Sequence, residues 1–152
     1  MKNMTFRKFS PTLLLGLLLF PFLLQAQKKD EWKVDDPHGS FKTVEFETDE
    51  GTWMNLDVSP DGKEIAFDML GDIYLMPISG GKALRIAEGM AWEVQPRFSP
   101  DGQRLLFTSD NGGGDNIWVM NADGSDQKQI TKESFRLLNN ASWMPDGQYI
   151  VA

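Results

Sequence analysis

The sequence has no cysteine among its 152 residues and a single histidine, His38. Without cysteine there are no disulfides, no cysteine-ligated zinc, no thiol catalysis and no lipid attachment through an N-terminal cysteine. One histidine also excludes the His-x-His and His-Glu-x-x-His spacings of hydrolytic zinc sites. His38 stands beside Asp35 and Asp36, but an isolated histidine in a polar segment is more often solvated than metal-bound. We therefore predict no metal and no cofactor within these residues.

Positive charge is also scarce, because 15 Lys and Arg face 22 Asp and Glu and leave a formal net charge of −7. An acidic surface repels phosphate, so we expect neither nucleic acid nor an anionic membrane surface as a partner. The sequence contains no Gly-x-Ser-x-Gly elbow. A Ser-His-Asp triad is not available either without a suitable histidine. We therefore predict no catalytic residues in this segment.

The N-terminal residues 1–26 are typical of a signal peptide. Lys2, Arg7 and Lys8 precede an apolar run over residues 13–24, and the small Ala26 is the predicted cleavage residue. The run is short for a membrane span, which needs about 20 residues, although an uncleaved anchor is the alternative. We expect export to a bacterial periplasm or the cell exterior, with residues 27–40 as a polar linker and no stable membrane insertion after cleavage.

A repeat organises the rest of the chain. Pro-Asp-Gly recurs within residues 57–67, 97–107 and 142–152, and residues 72–76 match residues 116–120. Pro presets the backbone of the turn, Asp binds nearby backbone and Gly accepts the positive φ that closes a hairpin. Pro60, Pro100 and Pro145 follow one another after 40 and 45 residues. That period is typical of one four-stranded propeller blade.

The fold class predicted from this repeat is all-β, an incomplete β-propeller over residues 41–152 with about two and a half four-stranded blades. Apolar, β-branched and aromatic runs mark the strands. We place them at 53–58, 64–69, 72–78, 83–87, 94–98, 104–109, 116–120, 127–131, 141–143 and 149–152. Residues 41–48 are predicted to form an additional strand that belongs to the last blade and closes the ring. The chain is expected to continue past residue 152, with a ring of several copies as the alternative.

Recurring acidic residues suggest repeated ion sites, but the turn itself explains Asp61, Asp101 and Asp146. The loops at 110–116 and 121–126 resemble calcium loops in composition only, since both lack the spacing of an EF-hand. Calcium is therefore not predicted.

Tryptophan supplies the candidate contact residues. Trp118 and Trp143 occupy repeated apolar positions, which favours core packing over ligand stacking. Trp53 is a weaker candidate for stacking on a sugar or peptide. Trp92 lies between two blades, in residues 88–94, and is the best single candidate for a surface contact.

The Ser-Pro-Asp-Gly turn with its following apolar triplet, and then Asp/Asn-Ile-Tyr/Trp-x-Met, resembles the TolB-type propeller repeat over residues 52–152. The Gly-His and Trp-Asp marks of ordinary WD repeats are absent. Met144 departs from the pattern, because Ser59 and Ser99 occupy the matching positions. We expect that departure to remove one local hydrogen bond.

The resemblance implies an exported recognition module with a protein, peptide or small-molecule ligand at the propeller face. Such repeats occur in periplasmic TolB and as N-terminal propellers of exported amidohydrolases and prolyl oligopeptidase-type peptidases. The order of signal, short linker and blades looks most like the amidohydrolase-linked kind, in which a metal would belong to a downstream domain. A TolB-like interaction protein without catalysis, or a peptidase lid, is the alternative. TolB itself has a small α/β domain before its propeller, and residues 27–40 are too few for one.

Overall fold

The computed structural model describes residues 33–37 and 39–152, and this part of the chain is all-β. It forms two four-stranded antiparallel sheets and one two-stranded sheet. Blade 1 comprises β1 (Leu56–Val58), β2 (Glu64–Met69), β3 (Asp72–Pro77) and β4 (Leu84–Ala87). Blade 2 comprises β5 (Glu93–Phe98), β6 (Arg104–Ser109), β7 (Asn116–Asn121) and β8 (Lys128–Gln129), and blade 3 comprises β9 (Ser142–Trp143) and β10 (Ile150–Val151). The described residues include no helix long and apolar enough to cross a membrane.

Each hairpin between the first two strands of a blade is built by the predicted turn. Ser59 Oγ donates to Asp61 Oδ1 at 2.7 Å and accepts from the Glu64 amide at 2.9 Å. Gly62 closes the turn with a φ of 71°, a conformation that other residues adopt at a cost. The second turn repeats this geometry at Ser99. The recurring aspartates at these two turns therefore hold the turns themselves.

The third turn shows what Met144 removes. Its two backbone hydrogen bonds remain, from the Met144 amide to Tyr149 O and from the Gly147 amide to Met144 O, both at 2.8 Å. Both hydrogen bonds of the serine hydroxyl are missing, the one donated to aspartate and the one accepted from backbone. The expected loss of one bond was therefore too small, because a hydroxyl both donates and accepts.

Alternating side chains of each strand pack against the neighbouring blades, as the period of two in a β-strand requires. Ala66 and Ile73 of blade 1 meet Leu105, Phe107 and Met120 of blade 2 in one buried cluster. The opposite face of blade 2 meets blade 3 in a second cluster, formed by Leu106, Ile117, Val119 and Ala141. The blades are thus stacked face to face, and this packing of sheets confirms the predicted propeller architecture.

The other face of blade 1, called here the open face, has no blade packed against it in the described structure. Its cross-strand pair Phe67–Tyr74 has ring centroids 5.4 Å apart. The matching pair of blade 2, Phe107–Trp118, is 6.5 Å apart and packs against blade 1. A groove of ≈ 1000 Å³ separates the open face from residues 43–51. The open face is therefore the repeat's blade-contacting face without a blade on it.

The strand predicted at residues 41–48 is wrong. This segment has no strand hydrogen bonding, and Phe41, Val44 and Phe46 are each more than half exposed. Its alternating sequence suits a strand, but no described strand pairs with it, and a strand without a hydrogen-bonded partner is not stable in water.

The predicted linker lies partly outside the described residues, as do His38 and the predicted signal peptide. The part at 33–36 is not simply solvated. It forms a turn in which the Asp36 amide donates to Lys33 O at 3.2 Å and Val34 is buried.

Candidate functional site

The loops of the blades emerge at two ends, because successive strands are antiparallel. The Pro-Asp-Gly turns lie together at one end, where a Cβ on Gly102 would be 3.3 Å from Pro60 and one on Gly147 would be 3.7 Å from Pro100. The opposite end, called here the connection end, carries the β2–β3 turn at 70–71, the β6–β7 loop at 110–115 and the connections between blades at 88–92 and 130–141. Its exposed apolar side chains include Leu70, Met90, Trp92, Phe135 and Leu137.

Trp92 is held in place at the connection end while its side chain remains available. Its amide donates to Asp110 Oδ1 at 2.8 Å. Its indole packs over Gly71, where a Cβ would lie 2.8 Å from the ring. The residue is still 56% exposed. A large aromatic side chain that is anchored and exposed loses little conformational entropy on binding, which suits a contact residue.

Glu93 follows directly and is buried, at 3% exposure. Its amide donates to Gly71 O at 2.8 Å, but its Oε2 has no hydrogen-bond partner. Burial, followed by the negative charges of Asp72, Asp35 and Asp110, raises the pKa of Glu93 from 4.5 to about 7. The connection end therefore contains a carboxyl group whose charge is not compensated.

The guanidinium of Arg85 on β4 pairs with two other carboxylates. Arg85 lies 3.3 Å from Asp72 Oδ2 and 2.6 Å from Glu88 Oε2. These two ion pairs are partly exposed, so each contributes little to stability. Within the residues that the structure describes, no ion pair involves Glu93.

A chain of polar contacts fixes the connection end across all three blades. Asp68 accepts from the amide and the side-chain nitrogen of Asn55, each at 2.9 Å, and from the Gln95 amide at 2.7 Å. Gln95 Oε1 in turn accepts from Thr108 Oγ1 at 3.3 Å and from the Asn140 amide at 2.6 Å. Blades 1 and 2 thus each bind the next blade, at or just before its first strand, through a buried or half-buried acceptor. We call this chain the polar relay.

The sequence prediction did not include the polar relay or Glu93. One signal for the relay was present, since Asn55, Gln95 and Asn140 recur in or just before the first strand of each blade. No comparable signal marks Glu93, because its burial depends on the packing of two blades.

The tryptophans behave largely as predicted. Trp118 packs against the first core cluster and Trp143 against the second, where its Nε1 also donates to Arg97 O at 3.2 Å. Trp53 is 99% exposed and has no fixed environment. Among the tryptophans that the structure describes, Trp92 alone combines exposure with anchoring.

The acidic loops are explained by their own turns. In the loop at 121–126, Asp123 accepts from the backbone and hydroxyl of Ser125 at 2.9 and 2.6 Å. Asp110 binds the Trp92 amide. Across residues 33–37 and 39–152, no three His, Cys, Asp or Glu residues are grouped suitably for a metal ion.

Sequential four-stranded antiparallel blades, stacked face to face and carrying TolB-type repeats, define a β-propeller protein. The chain belongs to the family described as Tricorn protease N-terminal beta propeller domain, which matches residues 57–152, more than half of its length.

Named relatives share the same repeats. Tricorn protease homolog 1 of Streptomyces coelicolor is 30% identical over 91 residues, covering 60% of this chain and 8% of that protein. The Tol-Pal system protein TolB of Bordetella pertussis is 38% identical over 58 residues, covering 38% of this chain and 13% of that protein. The crystal structure of TolB from Acinetobacter baumannii superimposes with a TM-score of 0.55 at 28% identity, covering 66% of this chain and 26% of that one. The chain therefore spans about a quarter or less of each of these proteins.

Proposed function

We propose that this chain is a recognition module that binds a protein or peptide ligand at its connection end. The main observation in support of this proposal is that Trp92 exposes an indole that is fixed by Gly71 and Asp110. Other exposed apolar side chains lie at the same end, and the polar relay joins the blades there. A rigid, exposed aromatic anchor among apolar side chains is typical of the core of a protein-binding surface. Similarity to a Tol-Pal system protein supports a role in protein interaction.

Site-specific photocrosslinking tests this assignment in cells that produce the protein. A photoreactive phenylalanine at position 92 is expected to form a discrete adduct with the ligand. The matched control is the same residue at position 63, because Lys63 is exposed at the opposite end. Equal adducts at both positions, or adducts only at position 63, would contradict the proposed binding end.

We further propose that the module works outside the cytoplasm, in a periplasm or at the cell exterior. The order of basic residues, apolar run and Ala26 in the N-terminal sequence supports export. Sequencing of the mature N-terminus should give Gln27 as the first residue. A mature chain that still begins at Met1 would contradict cleavage.

At the level of the whole protein, we propose that these blades are the N-terminal part of an exported hydrolase resembling metal-dependent amidohydrolases. The family name itself describes a propeller that precedes a protease, which supports both a hydrolase and the alternative of a propeller-lidded serine peptidase. Similarity to TolB supports the second alternative, an interaction protein without catalysis.

Intact-mass measurement and sequencing of the natural gene product distinguish these alternatives. A mass several-fold above 17.2 kDa is expected. A downstream His-x-His would support the amidohydrolase, a Gly-x-Ser-x-Gly the peptidase, and further blades alone the interaction protein. A mass matching residues 27–152 would overturn the proposal of a larger hydrolase.

A further inference from the structure

One carboxyl oxygen of Glu93 is buried without a hydrogen-bond donor. Its side chain is 97% shielded from solvent, as its 3% exposure shows, and Oε2 has no partner. A buried carboxylate without donors is costly, whereas one that is paired with a cation and hydrogen-bonded is tolerated. The described chain supplies no such donor to this oxygen. A ligand with a positively charged N–H group would supply one.

The groups around Glu93 also favour a cation. Asp72 on β3, Asp110 in the β6–β7 loop and Asp35 in the turn at 33–36 all act on it with negative charge. Arg85 on β4 already pairs with Asp72. The field at this point of the connection end is therefore negative, which attracts a cation and disfavours an anion.

Trp92 adds an exposed aromatic face at the same end, with the Asp110 carboxylate 2.8 Å from its backbone amide. Within the described residues the only cation–π pair joins Arg104 to Trp143, with the guanidinium carbon 4.8 Å from the ring centroid. Trp92 therefore has no such intramolecular partner there. An exposed indole next to carboxylates is a combination that binds ammonium and guanidinium groups.

We propose that the connection end binds a lysine or arginine side chain of its peptide ligand, between the indole of Trp92 and the carboxylates of Glu93 and Asp110. The inference rests on the proposed recognition function and specifies the chemistry of its ligand. Because Oε2 is covered in the free protein, the Glu93 side chain must rotate outward to meet the cation. The bound state then pairs an ionised Glu93 with the ligand's N–H groups.

This arrangement links binding to a proton. Free Glu93 is largely protonated below pH 7, since burial and neighbouring carboxylates raise its pKa to about 7. Binding of the cation requires the ionised form, so the proton leaves to solvent as the complex forms. Affinity should therefore fall about tenfold between pH 8 and pH 6.

The test is isothermal titration calorimetry on the full chain with two acetylated, amidated peptides, Ala-Ala-Lys-Ala-Ala and its norleucine analogue. Norleucine keeps the aliphatic stem and removes the charge. The lysine peptide should bind more tightly than its norleucine analogue at pH 8 and lose about tenfold in affinity at pH 6. At pH 6 its binding should release protons, seen as heats that depend on the buffer. Glu93→Gln should weaken the preference for lysine and remove its dependence on pH, whereas Glu64→Gln, at an exposed position of the opposite end, should retain both.

The outcomes separate the two proposals. Equal binding of both peptides would overturn the cation site and leave recognition at the connection end standing. No binding of the lysine peptide at millimolar concentration would also overturn the cation site, while crosslinking at position 92 judges the recognition function independently. Proton release by the natural protein needs no variant, so misfolding of Glu93→Gln cannot hide a negative result.

Discussion

Glu93 makes the stability of the blades depend on pH in a direction opposite to that of most carboxyl groups. Its pKa is raised from 4.5 to about 7 in the folded protein, so the folded state keeps a proton that the unfolded state has lost. Stability from this group is fully present below pH 4.5 and is lost as pH rises through 7. The full effect is on the order of 3 kcal/mol, since each pKa unit corresponds to about 1.4 kcal/mol.

Glu93→Gln replaces the titrating group by a neutral one of the same shape. Any cost of burying the amide is the same at all pH values, so it cancels in a comparison between two pH values. The variant should gain about 2–3 kcal/mol relative to the natural protein between pH 5 and pH 8. Urea denaturation curves of both proteins at the two pH values measure this difference.

The control for this comparison is Glu64→Gln, an identical chemical change on an exposed side chain of β2. Its effect on the free energy of unfolding should be equal at pH 5 and pH 8. If Glu93→Gln behaves in the same way, Glu93 is not the source of the pH dependence. The interpretation that the charge of Glu93 is not compensated by a cation is then refuted.

Three further substitutions test the packing beneath this end and at the turns. Asp68→Ala removes the acceptor of three hydrogen bonds in the polar relay and should cost about 3 kcal/mol in urea denaturation; a cost no larger than that of Asp49→Ala, in an exposed loop, would count against the relay. Met144→Ser restores the hydroxyl of the other two turns and should raise the free energy of unfolding by about 1 kcal/mol, whereas a loss would show that methionine packing matters more. Gly71→Ala strains a φ of 87° and crowds Trp92, so it should cost about 1–2 kcal/mol, and less in a Trp92→Ala background; an unchanged cost there would mean that the indole does not press on this position.

Much of the fold could be predicted because its determinants are local. The Ser-Pro-Asp-Gly turn is specified by the residues within it, and the observed hydrogen bonds of Ser59 and Ser99 follow from that chemistry. Most strands were placed within a few residues. β8 is shorter than predicted, since Thr131 Oγ1, rather than a backbone oxygen, accepts from the Ile117 amide at 2.9 Å.

The remaining features depend on contacts between segments that are distant in sequence. Residues 41–48 have the alternation of a strand, but a strand also needs an edge to bind. Glu93 looks like an ordinary acidic residue until two blades pack around it. Trp92 could be selected from the sequence by its position between blades, whereas the contacts that fix it, with Gly71 and Asp110, are visible only in three dimensions.

The open face of blade 1 has a consequence for self-association. Every blade meets its predecessor through one surface and its successor through a different one. Contact between blades is therefore heterologous, and pairing two blades still leaves one free surface on each. Such contacts end only when the rotation per blade completes a full circle, and otherwise continue as an open filament. A blade face without a neighbouring blade can therefore bind a further copy of the protein. Covering that face is a condition for avoiding such open-ended assembly.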